Sequence, residues 1–323
     1  MRKGRMEHID CDICVIGAGM AGLACATRLT EAGLQVTVID KGRGPGGRMA
    51  ARRTEIDGET VSFDHGAQYF TARDPEFQAA VKGWEEMGVV ARWPAAGDGA
   101  FVGTPGMNGP IRTMAQTLNV HWSTRAETIT REDGAWRIEA GEITLLAKTV
   151  LVAIPAEQTH SLLHNVASDF GEIASQASSA PCWAVMVGFS KKLGIAEDVL
   201  RNLDAPISWA ARNSAKPGRT GDECWVLHAS PARSRDLIDL PKEEAATVLL
   251  NDFFAQTGAE PVEPTHIAAH RWLYAMAEAV KGEPARYDAE KRIGIAGDYL
   301  HSPRVEGAWL SGVALAERVL TPE

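Results

Sequence analysis

The sequence predicts a two-domain α/β protein, and three observations carry that prediction. Near the N-terminus a short apolar strand runs into a glycine-rich turn, an amphipathic helix and a second apolar strand. The middle of the chain carries repeated strand-like runs separated by turn signals, and a last strand and helix close it. With 323 residues the chain also exceeds the size, about 250–300 residues, at which single cores stop growing.

Residues 12–16, Asp-Ile-Cys-Val-Ile, read as a buried parallel strand. Gly17-Ala-Gly19-Met-Ala-Gly22 follows, then a helix with Leu23, Ala26 and Leu29 at helical spacing, stopped by Gly33. A second strand over 36–39 ends at Asp40. Each part has a job in a dinucleotide site. Gly17 permits the tight turn, Gly19 lets the backbone approach a pyrophosphate, and Gly22 lets the helix pack close to the strand. The helix N-terminus offers free N–H groups and about half a positive charge. Asp40 stands eighteen residues past Gly22, near the ~20 at which an acid meets the ribose hydroxyls. Together these define a Rossmann-type βαβ unit, which a lone glycine triplet would not.

The next segment separates FAD from NAD. Lys41-Gly-Arg-Gly-Pro-Gly46-Gly47-Arg48-Met49 is a second glycine-rich loop, whose N–H groups can converge on anionic oxygens. Arg48 adds a charge-assisted hydrogen bond. A simple NAD site needs no second anion-binding loop so soon after the acid; FAD lying across the sheet does. In Phe63-Asp64-His65-Gly66-Ala67-Gln68-Tyr69-Phe70, Gly66 and Ala67 are small enough for a flat ring to lie against the backbone, and Gln68 is placed to reach a ring edge. At the C-terminus a strand over 292–296 enters Gly297-Asp298, where Asp298 is expected to accept a ribityl hydroxyl. Residues 305–312 are expected to lead into a helix over 313–320, whose N-terminus would stabilise negative charge on the reduced flavin. No cysteine follows Cys224, which argues against a cysteinyl flavin; His270 and His301 are the remaining conceivable attachment points, and noncovalent FAD is expected.

Asp74-Pro75-Glu76 starts a helix with Phe77, Val81 and Trp84 inward and Gly88 at its end. Residues 128–138 form a hairpin turning at Asp133-Gly134, and 144–154 supply the third strand of an antiparallel meander. Ala126, entering this region, is a candidate backbone contact for adenine. Further strands are predicted at 183–189, 207–212, 224–229 and 266–274. A helix is predicted over 243–256 with Ala246, Leu249, Leu250 and Phe253 inward. The FAD domain is expected at 1–73, 100–154 and 288–323, and the substrate domain at 74–99 and 155–287.

A net charge of −9 without a long basic run excludes nucleic acid as a partner. No apolar run approaches the ~18 residues of a membrane span. The basic opening Met-Arg-Lys-Gly-Arg leads into polar Glu7, His8 and Asp10, so no signal peptide is expected. The expected location is the cytoplasm, with the five cysteines reduced. Cys11 and Cys14 form a C-x-x-C, but residues three apart on a strand are expected on opposite faces, and no second pair completes a zinc site. His160 and His164 stand four apart on a helix without neighbouring acids and are read as solvated, not as metal ligands.

No Ser-His-Asp, H-E-x-x-H or nucleophilic cysteine pattern occurs. Flavin chemistry requires none, so no catalytic side chain is assigned. Candidates for holding a substrate are Gln68, Tyr69, Phe70, Thr71 and Arg73, then Thr104, then His270, Trp272 and Tyr274, which alternate onto one face of a strand. A buried aromatic stripe is the competing reading of the last three.

The strings GAGMAG, GGRM, DHGAQYFTARD, VGTPGM, LVAIP, HRWLYA and AGD…GAWLSG resemble the renalase family, FAD proteins of the amine oxidase superfamily, over roughly residues 10–320. The resemblance implies a glutathione-reductase-type FAD domain with a β-rich substrate domain. It implies FAD contacts at Ala21, Asp40, Lys41, Gly47, Arg48, Ala67, Gln68 and Asp298, and along 308–312 with Ala308, Trp309 and Gly312. The implied activity is oxidation of a 2- or 6-dihydro isomer of NAD(P)H, hydride passing to flavin and electrons to O2 to give hydrogen peroxide. The alternatives are an amine oxidase or desaturase of the same superfamily and a non-catalytic flavin-binding regulatory protein. No lysine stands out as the counterpart of the one amine oxidases place near their flavin.

Overall fold

The computed structural model describes residues 7–321. The expectation about the basic opening segment, residues 1–5, lies outside these residues. The chain divides into two compact units, one of Met1–Gly47, Ile111–Ser179 and Ala277–Glu323, the other of Arg48–Pro110 and Ala180–Met276.

The first unit is built on a mixed sheet whose strands run in the order Ala285–Asp288, Ile293–Ala296, Ile143–Val152, Glu7–Ile16, Val36–Ile39 and Asn119–His121. The strands flanking Glu7–Ile16 run parallel to it, and the apolar runs 13–16, Val36–Ile39 and Ile293–Ala296 are buried throughout. The ten-residue strand Ile143–Val152 serves two partners along one edge. Its first half pairs antiparallel with Ala135–Ala140, and its second half pairs parallel with Ile293–Ala296. The expected hairpin is present: Thr128–Glu132 turns into Ala135–Ala140 through Asp133 and Gly134, both at positive φ.

Cys11 and Cys14 depart from expectation. Ile9, Cys11, Cys14 and Ile16 all pack into one core cluster, so the in–out alternation breaks between the two cysteines. The neighbouring strand breaks in step between Ala147 and Val150, which preserves the register. The two thiols therefore share a face and hydrogen-bond each other. That bond lowers the half-buried Cys11 and raises the buried Cys14.

The final helix is also longer than expected. Val305–Leu320 is helical throughout, so 305–312 is its first half and not a loop leading into it. Its glycines permit close packing. A Cβ on Gly307 would stand 2.2 Å from the Ser302 carbonyl, and one on Gly312 would stand 2.0 Å from the Ala21 carbonyl on helix Met20–Glu31. At Gly312 glycine marks helix–helix approach rather than a break.

The second unit holds a five-stranded sheet in the order Val199–Arg201, Ile207–Arg212, Glu223–Ala229, Ser179–Phe189 and His266–Ala277. Helix Lys242–Thr257 covers one face with Ala246, Leu249, Leu250 and Phe253, and Gly258 ends it in the left-handed region. Helix Pro75–Glu86 starts as predicted, with the Asp74 side chain accepting from the N–H groups of Glu76 and Phe77.

The unit boundaries fall elsewhere than the sequence suggested. Strand Glu59–Asp64 puts Val61 and Phe63 against Met186, Cys224 and Val226, and so belongs with the second unit. Helices Ala156–Leu163 and Ser168–Ser175 place Leu163 and Ala174 in the core of the first. Strand Ala285–Asp288 extends the first unit's sheet.

Candidate active site

In the first unit the three fingerprint glycines do different things. Gly17 has φ +107°, and a Cβ there would meet the Ala153 carbonyl at 2.5 Å. A Cβ on Gly22 would stand 1.9 Å from the Gly17 carbonyl. Gly19 is different: its φ of −82° suits any residue, and a Cβ there would meet nothing within 4 Å. The space over Gly19 is thus open at the N-terminus of helix Met20–Glu31, which no side chain caps and whose first turn holds no acid. That is the surface an anionic diphosphate requires.

Asp40 joins the two glycine loops. Its Oδ2 accepts from the Ala18 N–H at 2.7 Å and its Oδ1 from the Gly42 N–H at 2.6 Å. Each carboxylate oxygen keeps a lone pair for a ribose hydroxyl. Gly47, at φ +53°, brings the second loop within 3.5 Å of Gly19 Cα, measured from the Cβ it lacks. Lys41 donates to Gln158 Oε1 at 3.1 Å, and burial, followed by the Arg125 charge, lowers its pKa. Ala126 is half-buried against the sheet core. Asp298 is buried at the start of the short turn Asp298–Leu300, just past strand Ile293–Ala296. Ala21 and Trp309 are buried, while Ala308 is half-buried. Open space over Gly19, an uncapped helix and an acid with spare lone pairs fit a bound dinucleotide.

The second unit carries the remaining candidates around a buried ionic group. Asp64 accepts from Lys216 Nζ at 3.2 Å, from Arg219 at 2.5 Å and from the Met107 N–H at 2.8 Å. Burial alone would raise the Asp64 carboxyl; Lys216 and Arg219 outweigh it, and the pKa is lowered. Lys216 also donates to Gln68 Oε1 at 3.0 Å and lies 5.1 Å from the centroid of the Trp93 ring. Burial brings its pKa down to about 8.

Gln68 is consequently spent inside the unit. Its Nε2 donates to the carbonyls of Asp64 and Gly66, so the ring-edge bond expected from its position is not left free. Gly66 has its own reason to be glycine: a Cβ there would stand 2.1 Å from the Arg48 carbonyl, which also accepts from the Ala67 N–H at 2.8 Å.

His270, Trp272 and Tyr274 share the inward-leaning face of strand His266–Ala277, while Arg271 and Leu273 are exposed. The structure adds His65 to that face. Its ring stacks on Trp272 at 5.3 Å and meets His270 edge-on at 4.9 Å, and its carbonyl accepts from Trp272 Nε1 at 2.8 Å. Burial, reinforced by His270 and Arg52, pushes His65 down to about 3; burial with Arg52 and Lys242 pushes His270 down to about 4. The result is a wall of uncharged rings.

Other candidates separate from it. Phe70 is a core residue, stacked on Phe101 at 5.8 Å and tilted against Phe77 at 6.0 Å. Thr71 pairs in a short strand with Ala100, and Thr104 spends its hydroxyl on the Gly88 carbonyl at 2.5 Å. Tyr69 stacks on Trp209 at 5.4 Å with Arg201 over both rings, and Arg73 is exposed. His160 bonds the Gly171 carbonyl at 3.0 Å through Nδ1. Among the described residues no three His, Cys, Asp or Glu side chains are grouped to hold a metal. Sequence reading missed His65, Lys216, Arg219 and His228. Asn213-Ser-Ala-Lys216-Pro-Gly-Arg219 has the look of a charged surface turn, and only its hint of a Pro-Gly bend holding two cations toward one point could have marked it.

Fold and site define the class: a dinucleotide-binding protein with a second, β-rich unit. The sequence profile for a flavin containing amine oxidoreductase matches residues 88–320, and that for an NAD(P)-binding Rossmann-like domain matches residues 15–84. The chain belongs to the flavin-containing amine oxidoreductase family, and its cofactor is FAD. It is similar to the hydroxyneurosporene desaturase of Rubrivivax gelatinosus, 43% identical over 89 residues, 25% of this chain and 16% of that one. The zeta-carotene-forming phytoene desaturase of Myxococcus xanthus is 50% identical over 48 residues, 15% of this chain and 9% of that one. The chain thus matches only a small part of these relatives' length. Among solved structures it is similar in fold to putrescine oxidase bound to putrescine, with TM-score 0.71, 14% identity and coverage of 97% of this chain and 99% of that one. Cyclohexylamine oxidase from Brevibacterium oxydans IH-35A gives TM-score 0.64, 12% identity and coverage of 96% and 98%. No helix among the described residues is long and apolar enough to cross a membrane.

Proposed function

We propose that the protein is a FAD-dependent oxidase of misreduced nicotinamide, taking a 2- or 6-dihydro isomer of NAD(P)H with O2 and a proton to NAD(P)+ and hydrogen peroxide. Bound FAD, held noncovalently, supplies the hydride acceptor and the route to O2. The wall of His65, His270 and Trp272 carries the reading. A dihydropyridine gives up hydride without first losing a proton, so its site needs flat surfaces to orient a ring and no strong base. Imidazoles pushed to about 3 and about 4 are neutral at physiological pH and supply such surfaces.

A second reading, a desaturase or amine oxidase, draws support from the names of the curated relatives and from buried Lys216, whose pKa of about 8 leaves a neutral fraction. Anaerobic stopped-flow mixing tests both. The first reading expects rapid flavin bleaching by 2- or 6-dihydro-NAD(P) and slow bleaching by ordinary NADH. Bleaching by simple amines with no response to any dihydronicotinamide would overturn it. The cytoplasm is the proposed site of action, and nucleic acid and membranes are not proposed partners.

A further inference from the structure

The proposed reaction leaves one buried charge unused. The side chains of Lys216, Asp64 and Arg219 are all fully buried, and two cations share one carboxylate. A buried ammonium is costly unless fully bonded. Lys216 meets that demand through a second acceptor, Gln68 Oε1, at 3.0 Å.

That bond gives the Gln68 carboxamide a fixed sense. With Oε1 turned to Lys216, Nε2 is turned to the carbonyls of Asp64 and Gly66 and to His228 Nε2 at 3.4 Å. The two Nε2 hydrogens go to the carbonyls and an amide nitrogen has no lone pair to offer, so a proton on the facing His228 nitrogen would find no acceptor there, and that nitrogen is the unprotonated one. His228 is then neutral with its proton on Nδ1. The His65 carbonyl lies beside the His228 ring as a hydrogen-bond acceptor, and the same carbonyl accepts from Trp272 Nε1 at 2.8 Å. One connected row therefore runs from Lys216 through Gln68, His228 and the His65 backbone to Trp272.

We propose that Lys216 is a positioning residue: acting through Gln68, it fixes His228 as the Nδ1–H tautomer and so holds the His65 carbonyl and the Trp272 indole in place for the substrate ring. The last clause rests on the function proposed above; the tautomer does not. The groups facing His228 are Lys216, Gln68 and His65. Burial and then the Lys216 charge push His228 down to about 4, against the pull of the His65 carbonyl.

The test is long-range nitrogen–proton NMR of holoenzyme labelled with 15N-histidine, His228 being assigned through His228→Gln. In the parent protein Nε2 should read as unprotonated at neutral pH, with a titration midpoint near 4. Lys216→Met keeps the side chain's bulk and leaves Asp64 bonded to Arg219 and the Met107 N–H. It should move the His228 midpoint upward by roughly one pH unit, toward the ordinary range for histidine. Flavin reduction by the dihydronicotinamide should slow roughly tenfold with FAD content unchanged. Unchanged His228 signals and midpoint in folded Lys216→Met overturn the proposal. Should that variant not fold, Gln68→Glu presents an acceptor to Nε2 instead of a donor; Nε2 should become protonated, and its staying bare overturns the proposal equally. The NMR readout needs no substrate. A parent enzyme that no dihydronicotinamide reduces therefore refutes the substrate while leaving the tautomer result to stand or fall alone.

Discussion

Replacing Gly19 by alanine should weaken cofactor binding roughly 100-fold without touching the fold, and replacing Gly22 should destabilise the fold instead. At Gly22 the new methyl would lie 1.9 Å from the Gly17 carbonyl and would have to retreat to at least 3.4 Å, with backbone on both sides of the contact. Overpacking of this kind costs about 1–3 kcal/mol. At Gly19 the methyl meets nothing within 4 Å, and φ −82° is open to alanine. Alanine is a poorer N-cap than glycine by up to about 1 kcal/mol, but it lowers the entropy of the unfolded chain by a similar ~0.4–1 kcal/mol, so the two nearly cancel. The methyl instead fills the space over the helix N-terminus. Displacing a diphosphate from one or two charge-assisted bonds of about 1.5–3 kcal/mol each should raise the FAD dissociation constant roughly 100-fold. Urea unfolding of the apoprotein and fluorescence titration with FAD read the two effects separately. Thermal shift on adding FAD gives a third readout, because ligand stabilisation falls as the dissociation constant rises. The reasoning fails if Gly19→Ala binds FAD like the parent, or if it destabilises the apoprotein as much as Gly22→Ala does.

Asp40→Ala strips the partner from the Ala18 and Gly42 N–H groups and should raise the FAD dissociation constant at least roughly tenfold, measured by equilibrium dialysis; unchanged affinity would count against its bridging role. Trp272→Ala removes the ring stacked on His65 and should slow substrate-driven flavin reduction roughly tenfold or more while FAD content holds, and loss of FAD instead would move Trp272 to a cofactor role. Folded-state values of about 3 for His65 and about 4 for His228 lie below the ordinary 6.5, so the unfolded chain takes up their protons first. Their contribution to stability is intact above pH 6.5 and is lost as pH falls from there toward those folded values, by up to about 1.4 kcal/mol per pH unit for each histidine. Urea midpoints compared at about pH 7.5 and about pH 5 should show the drop, and a flat profile would show that these rings are not held neutral by the fold.

The sequence alone determined what depends on near neighbours. The strand, Gly17, Gly19, Gly22 and Asp40 lie within one βαβ stretch, and the positive φ of Gly17 and the approach of Gly22 to the Gly17 carbonyl are demands made inside it. The Asp74 cap and the Asp133-Gly134 turn were legible for the same reason. Helix Val305–Leu320 was misjudged because the partner that needs Gly312 bare, the Ala21 carbonyl, comes from the far end of the chain. The shared face of Cys11 and Cys14 likewise depends on a break that two neighbouring strands make together. Only the tertiary structure joined Asp64 and Gln68 to Lys216 and Arg219, across 148 to 155 residues of chain. In sequence those charges are indistinguishable from solvated ones. Whether a lysine is a surface charge or a buried donor with a lowered pKa is decided by what surrounds it, because desolvation and pairing act through space and not along the chain.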